Sequence, residues 1–503
     1  MRQRQAITYD RQMRLSALAS GYAITATTDP DITGISEDSR RIGPGMLFVA
    51  VRGTTDDGHR YLADALTRGA AIVSEAIDHV PPAAHIRVAS SRAALADLAA
   101  RFAGHPAHEL SLIGFTGTFG KTSTSAILGE LLAAGGTKAG ILGSLGARYG
   151  DFREPGNGLT TPAPVELHGA LRRLRNAGAD TVIMEVTSHA LRLGRVDGLT
   201  FRGGLVSAIK PGEHSDFHGS YEDYVSAKRL LLKYLSADAT LAYDADNFAA
   251  RTLASDAAVA IKSGVTLHGR NSSVRVTHVV LDHTGARFSV NGRRLHSGLL
   301  GRGHLENVAL ALGYALAAGV TLERARPVLR RLRPLPRRME RYEVSGRSVL
   351  DDTAGHPDSL RATFEVAAML ARSPRMAEDG RTVVVYATRG NRGEDINRRN
   401  ASSLADLVAE HGVSRLIVTA STDVAGRNDQ ATASEIEAAR HALVSRYQRF
   451  DWFDELERAT AEALATTRPG DLIVLLGAQG MNEGRRLLSS AGTSPQEEST
   501  YRS

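Results

Sequence analysis

Apolar residues along the chain fall into two alternating patterns: short continuous runs, and longer stretches with helical spacing. The runs Met46-Leu-Phe-Val-Ala-Val51 and Ala70-Ala-Ile-Val-Ser74 predict buried strands, with helices over 61–68 and 92–102. Between about 109 and 335 the alternation recurs, with strands over 110–115, 181–186, 205–209 and 240–243. A last block carries strands over 348–351, 382–386, 415–419 and 471–476. Its helices span 358–370, 396–410, 433–446 and 455–466. Unbroken apolar strands alternating with amphipathic helices predict parallel sheets covered on both faces, so the expected fold class is α/β. Pro106, and the pair Pro334 and Pro336 within 330–338, read as linkers. They divide the chain into 1–108, a central 109–335, a doubly wound, Rossmann-like 336–490 and a disordered tail over 491–503.

The pattern is most informative at 112–124, Leu-Ile-Gly-Phe-Thr-Gly-Thr-Phe-Gly-Lys-Thr-Ser-Thr. A buried strand runs into a turn with Gly117 and Gly120, then Lys121-Thr122, then a helix over 123–134. Glycines let backbone N–H groups close on phosphate oxygens, and the helix start adds its dipole. Lys121 supplies a point charge and Thr122 a hydroxyl for Mg²⁺. The strict phosphate-loop spacing would need glycine at Phe115, so the match is to the Gly-Thr-x-Gly-Lys-Thr variant, with Gly117, Thr118, Gly120, Lys121, Thr122 and Ser123 as nucleotide-binding candidates. Glu185 ends the apolar strand Thr181-Val-Ile-Met-Glu at a sheet's carboxyl edge, where ligands bind in open α/β folds. There a carboxylate can hold Mg²⁺ beside a phosphate, and His189 is a second candidate ligand.

Composition narrows the chemistry. The 503 residues contain no cysteine, which excludes disulfides, thiolate metal sites and thiol nucleophiles. No apolar run has the length of a membrane span, and the first 19 residues lack a signal-peptide core. A cytoplasmic protein without a membrane partner is therefore expected. The net charge of +6 arises largely from arginine-rich segments such as 324–341. With aromatics at only 5%, it suits anionic small molecules rather than nucleic acid.

Several segments in order along the chain resemble the Mur ligase superfamily, most nearly its tripeptide-forming UDP-N-acetylmuramoyl-dipeptide ligases. Asp38-Ser39-Arg40, Pro44-Gly45-x-Leu47-Phe48-Val49-Ala50 and Asp57-Gly58-His59 resemble the family's uridine-nucleotide-binding domain. Leu159-Thr160-Thr161-Pro162 is similar to its Thr-Thr-Pro segment, and Glu185-Val-Thr-Ser-His-Ala-Leu191 with Arg195 to its Glu-Val-Ser-Ser-His motif. His218-Gly219, Tyr224 and Ala227-Lys228 match its lysine-bearing helix, and Asn307 the second Asn of its adenine-side motif. Arg338-Met339-Glu340 and Asp352 mark the start of the third domain. The resemblance implies an ATP-dependent ligase joining a small-molecule carboxylate, UDP-linked in the family, to an amine or amino acid through an acyl phosphate. It implies one or two Mg²⁺, held by Thr122, Glu185, His189 and a Lys228 carbamylated by CO₂, and a monomer or homodimer. It places Lys121, Glu185, His189 and Lys228 at the reaction centre, and Asn307, Arg338, Asp352 and Arg392 beside the nucleotide. Ser39, Arg40, Thr160, Thr161, Ser188, Arg195 and His214 fall on the acid substrate.

Departures from the family pattern cluster. Phe119 replaces Asn in the nucleotide loop, and the Asn-x-x-x-Asp-His-x-Asp stretch becomes Ile209-Lys-Pro-Gly-Glu-His-Ser-Asp216. His304 stands for the first adenine-side Asn, and Asp-Tyr-Ala-His-x-Pro becomes Asp352-Thr-Ala-Gly-His-Pro357. The Asp-Asn-Pro-Arg signature that goes with diaminopimelate becomes Ala420-Ser-Thr-Asp-Val-Ala-Gly426. The late Gly-Lys-Gly-His-Glu motif becomes Gly477-Ala-Gln-Gly-Met-Asn482. Two readings follow: a ligase with a different amine substrate, or a non-catalytic nucleotide-binding relative.

Overall fold

The computed structural model describes residues 12–492 except 54–55, 76–83, 213–216, 270–271, 375 and 427–428. They form two compact units, Met1–Arg275 with Val308–Ala325, and Val276–Asn307 with Arg326–Ser503. The expected tail thus lies outside the described residues, except for its first two, which end the helix Gly484–Gly492.

The first unit opens with a five-stranded sheet in the order Ala23–Thr25, His85–Arg87, Ala71–Ser74, Met46–Val49, Gly34–Ser36. All pairings are parallel except that of the Ala23–Thr25 edge. Side-chain alternation explains the unbroken apolar run. Leu47 and Val49 enter one core with Leu95 and Phe102, and Phe48 enters another with Leu62 and Ile72.

The larger sheet of this unit runs in the order Phe152–Glu154, Gly146–Tyr149, Ala139–Gly143, Thr181–Glu185, Ser111–Thr116, Phe201–Val206, Leu235–Asp244, Ile261–Thr266. Its last six strands are parallel, and the first two add an antiparallel hairpin at the edge. The strand Ser111–Thr116 has Thr181–Glu185 on one side and Phe201–Val206 on the other, in a register that sets Phe115 beside both Glu185 and Leu205. The carboxyl ends of three strands therefore meet where the nucleotide loop leaves the sheet, the usual ligand crevice of such folds.

Some elements differ from the pattern reading. The helix after the loop spans Lys121–Ala134, two residues earlier than expected, because Gly120 takes a left-handed φ of 81° and turns the chain directly into it. The strand expected at 205–209 is Phe201–Val206, whose first four residues include Arg202, Gly203 and Gly204 and so lack an apolar signature. The hairpin Gly146–Tyr149 with Phe152–Glu154, and the antiparallel meander Val274–Asp282, Gly285–Val290, Arg293–Ser297, are half-exposed and carry no continuous apolar run.

The second unit also holds a six-stranded sheet in the order Glu340–Val344, Arg347–Asp352, Leu472–Leu476, Thr382–Ala387, Arg415–Thr419, Phe450–Phe453. Only the first pairing is antiparallel. Val384 and Val474 face one core and Val383, Val385 and Ile473 another, as in a doubly wound sheet.

Within the first unit, the helix Pro164–Asn176 joins the small sheet to the large one. Val165 packs into the small sheet's core, and Arg172 donates to the carbonyls of Ala103 and Gly104. His168 on this helix is buried, and neither ring nitrogen has a hydrogen-bond partner. Burial pushes its imidazole down to about 4, helped by His105 and His108 and opposed by Asp97. A histidine whose folded pKa lies below its unfolded value adds stability above about 6.5 that is lost as pH falls toward 4, about 3 kcal/mol in all. Chemical denaturation of the wild type between pH 7 and pH 4 should show this loss, and a His168→Leu variant should lack that share of it.

Candidate active site

The nucleotide loop is fastened to its neighbours. Gly117 has a φ of 149°, and a Cβ there would lie 1.8 Å from Ser207 Oγ, so this close approach admits only glycine. Ser207 Oγ donates to Phe119 O at 2.8 Å, and Thr118 N donates to Ala208 O at 2.9 Å. Thr118 Oγ1 accepts from Lys210 N at 2.9 Å and from Tyr224 Oη at 3.3 Å. The loop is thus strapped to the end of the Phe201–Val206 strand and to the helix Tyr221–Arg229.

Two lysines converge on it. Lys121 Nζ donates to Gly117 O at 2.9 Å and to Thr118 O at 3.2 Å. Lys228 Nζ, on a side chain with 1% exposure, donates to the same Gly117 O at 2.8 Å and lies 4.4 Å from the centre of the Tyr224 ring. A loop carbonyl and an aromatic face are surroundings for an ammonium. Two cations on one carbonyl oxygen, at a helix N-terminus, concentrate positive potential where polyphosphate would lie.

Opposite them is Glu185, with 1% exposure at the end of Thr181–Glu185. Its Oε2 accepts from Thr122 Oγ1 at 3.0 Å and Ser144 Oγ at 3.2 Å, and its Oε1 from Ser144 N at 3.1 Å. Gly143 makes the room: a Cβ there would sit 2.0 Å from Oε1. Ser144 Oγ also pairs with Thr160 Oγ1 at 2.9 Å. Thr161 Oγ1 donates to Glu185 O at 2.9 Å and accepts from Thr187 N at 3.0 Å, and Arg195 Nη1 donates to Thr161 O at 3.0 Å. Thr122, Glu185, Thr160, Thr161 and Arg195, from four separate stretches of sequence, thereby form one connected set. Burial lowers the Arg195 pKa, with Glu37 opposing.

Other predicted residues lie elsewhere or have partners of their own. Ser188, expected to face the substrate, is buried and pairs with His218 Nε2 at 3.0 Å. His218 Nδ1 faces Asp223 Oδ2 at 3.3 Å, and burial lowers its pKa against the pull of Asp223. His189 is stacked on Phe217 at 4.1 Å between centroids, with His218 edge-on at 5.6 Å. Ser39 is buried, and Arg40 is exposed with its guanidinium on Asp38 at 2.8 Å. Ser123 is buried in the first turn of its helix. His214 lies outside the described residues.

Among the described residues no group of three or more His, Asp or Glu is placed to hold a metal. The hydroxyl and carboxylate oxygens of Thr122 and Glu185 nevertheless fit Mg²⁺, a hard cation that takes one or two protein oxygens and completes its shell with water and phosphate. Ser144 and Ser207 are the residues that the sequence reading missed. Ser144 follows a strand at a Gly-Ser step, and only the pairing of Ala139–Gly143 with Thr181–Glu185 brings it to the carboxylate.

In the second unit, Asn307 lies half-buried on the helix Gly301–Ala317, one turn from the buried His304, whose Nδ1 faces Leu300 O at 3.0 Å. Arg338 Nη1 donates to Arg337 O at 3.0 Å. Asp352 accepts from Met339 N at 3.0 Å and Thr363 Oγ1 at 2.8 Å, closing the turn at 337–339. Arg392 sits in a loop whose backbone N–H groups at Asn391, Arg392 and Gly393 all donate to the buried carboxylate of Glu435, at 3.1, 2.7 and 2.6 Å. In the segment 420–426, Thr422 N donates to Asp454 O, and Asp423 caps a helix by accepting from Leu456 N and Glu457 N. The late loop is held by Arg337, which donates to Gly477 O, Ala478 O and Asn482 Oδ1.

A strand, a glycine loop, Lys-Thr and a helix, with a buried strand-end glutamate on the threonine, define a nucleotide-triphosphate-binding α/β protein. The family model described as the Mur ligase middle domain matches residues 115–315, the Mur ligase glutamate ligase domain 337–479, and the Mur ligase family catalytic domain 31–103. The chain belongs to the Mur ligase family, whose members are ATP-dependent acid–amino-acid ligases. It is 32% identical over 463 residues to the UDP-N-acetylmuramoyl-L-alanyl-D-glutamate–2,6-diaminopimelate ligase of Chlorobaculum tepidum, covering 89% of this chain and 87% of the relative. It is also 32% identical over 473 residues to the UDP-N-acetylmuramyl-tripeptide synthetase of Roseiflexus sp., covering 89% and 90%. Its fold matches MurF from Acinetobacter baumannii with a TM-score of 0.68 at 19% identity, over 96% of this chain and 99% of that one. No described helix is long and apolar enough to cross a membrane.

Gly143→Ala tests the Glu185 arrangement without touching a polar group. The added methyl must displace the carboxylate, and a shift of about 1 Å at such a site costs roughly 100-fold in turnover. ATP-dependent turnover should fall by that order with the circular dichroism spectrum unchanged. Turnover within threefold of wild type would show that the position of Glu185 does not matter.

Proposed function

We propose that this chain is a working ligase that activates the carboxylate of a UDP-linked acidic substrate and transfers it to an amine other than diaminopimelate. The carrying observation is the connected set Thr122–Glu185–Thr161–Arg195, which runs from the phosphate loop to a half-buried cation. A carboxylate must approach a triphosphate, so the difficulty is crowded negative charge, and fixed cations relieve it. Lys121 and Lys228 leave their shared carbonyl to meet phosphate oxygens. Arg195 and Thr161 hold the acid so that its carboxylate oxygen attacks the γ-phosphorus and ADP departs. The amine nitrogen then attacks the acyl carbon, loses a proton, and inorganic phosphate leaves. When bound, Mg²⁺ would rest on Thr122 and Glu185 and neutralise phosphate charge. Arg392, Asn307 and Arg338 are assigned to the nucleotide, and Ser39, Arg40, Thr160 and His214 to the acid, by family resemblance.

The amine assignment rests on the two replaced segments. Asp423 and Thr422 serve the helix Leu456–Ala465 and its approach, and the loop 477–482 is tied to Arg337. No described side chain of 420–426 is a guanidinium that would fork onto a distal carboxylate. Phe119 favours the second reading, a nucleotide-binding relative without turnover, since it replaces a polar loop residue.

Phosphate release decides between the two. It should require both UDP-N-acetylmuramoyl-L-alanyl-D-glutamate and an amine from an amino-acid panel, with diaminopimelate not preferred. Lys121→Ala should lower it by roughly 100-fold or more. ATP binding with no turnover across the panel would establish the non-catalytic reading. As the ammonium, Lys228 meets phosphate as above, and as the carbamate that the family resemblance implies it would join Glu185 in holding Mg²⁺; a ¹³C carbamate resonance after incubation with labelled bicarbonate, absent from Lys228→Arg, marks the second form.

A further inference from the structure

Behind Arg195 lies a charged cluster that the mechanism above does not use. Arg41 and Glu166 form an ion pair at 2.9 Å, joining the turn Ser39–Arg41 to the helix Pro164–Asn176. Arg92, at the start of Ser91–Phe102, reaches the carbonyl of Arg52 and lies 3.5 Å from that of Leu193. Among these groups sits Glu37, one residue before the Asp-Ser-Arg turn. The residue stays partly exposed, yet its Oε2 is shut off from solvent and has no hydrogen-bond partner. A buried carboxylate oxygen without a partner is costly, and it stands beside the arginine assigned to the substrate acid. The charged groups facing Glu37 are Glu166, Arg195, Arg41 and Arg92. Burial, followed by repulsion from Glu166, raises its carboxyl to about 7, and the three arginines oppose this.

We propose that Glu37 is a positioning residue that competes with the acid substrate for Arg195, so that substrate binding is linked to uptake of one proton by the Glu37 carboxylate. This rests on the acid-site assignment above. Ionised, Glu37 attracts Arg195 through space, with no ion pair between them, and repels an incoming anion. Protonated, it leaves the charge of Arg195 to the substrate, whose own negative charge then favours the neutral acid. The balance is one proton from solvent to Glu37 Oε2 for each substrate bound, reversed on product release. The exchange leaves no net charge added to a buried site, which is why an orphaned oxygen can persist there.

The test is calorimetric titration of the full chain with UDP-N-acetylmuramoyl-L-alanyl-D-glutamate in buffers of different ionisation enthalpy. Wild type should take up close to one proton near pH 8, and its affinity should fall about tenfold per pH unit above neutrality. Glu37→Gln should take up none and bind at pH 8 as wild type does at pH 6. Wild-type binding without proton uptake, or equal uptake in Glu37→Gln, overturns the proposal while leaving the acid site intact. No binding by wild type at pH 6, where Glu37 is neutral, overturns the acid-site assignment itself and this inference with it. Should Glu37→Gln fold poorly, wild-type proton uptake across the buffers still upholds or overturns the linkage.

Discussion

The arrangement turns on one buried carboxylate. Glu185 stands at the end of a fully buried strand, where an unsolvated charge is tolerated only with donors around it. Those donors are Thr122 from the helix after the loop, and Ser144 twice, from the step after the neighbouring strand. Each is delivered by a parallel pairing of Thr181–Glu185 with the strands on its two sides. Sheet register, loop position and the bareness of Gly143 are therefore one constraint. A slip of a single residue in either pairing would turn the donors to the opposite face of the sheet and leave the charge alone.

The opposite wall has complementary logic. Lys121 and Lys228 point at one carbonyl because the loop is pinned by Ser207, Lys210 and Tyr224 before any ligand arrives. Backbone dipoles hold the ammonium groups in the interim, so phosphate needs only to replace a carbonyl oxygen rather than reorganise the site. Lys228 Nζ lies over the Tyr224 ring, and conversion to a carbamate would trade one arm of this positive wall for an anion. The two forms favour different numbers of Mg²⁺.

Much of this was legible in the sequence, for identifiable reasons. The unbroken apolar runs of buried parallel strands carry a strong signal, and Arg415–Thr419 and Ala433–Arg446 fall where the pattern places them. The glycine loop with Lys121-Thr122 and the strand-end Glu185 also read directly, because their chemistry is local. What did not read is whatever depends on pairing between distant segments. Ser144 is an ordinary serine until Ala139–Gly143 lies against Thr181–Glu185. The meander Val274–Ser297 mixes both polarities because one face meets solvent. Ser188 and His189 look like equals in a motif, yet the helix Ser188–Arg192 turns the serine inward to His218 and stacks the histidine on Phe217. Motif membership fixes proximity along the chain and says nothing of direction.

The second unit shows how a phosphate-type cradle is used when no phosphate is its partner. Three consecutive N–H groups at 391–393, at the start of the helix Glu394–Glu410, form an anion-binding concavity, and Glu435 fills it. Against the cost of burial, the backbone N–H of Thr432 and these three N–H groups hold the Glu435 carboxyl below its ordinary value. An internal carboxylate there fixes the backbone that carries Arg389 and Arg392 without committing their side chains to it. The same economy holds at Arg337, whose guanidinium anchors the loop 477–482 by its carbonyls and Asn482. Both loops at the carboxyl edge of this sheet are therefore ordered by the protein's own charges. The segments that depart from the family pattern lie at that edge, so they change what the edge presents while the frame itself stands. The proposed change of amine requires such a frame, whereas decay of a site would lose its supporting charges first.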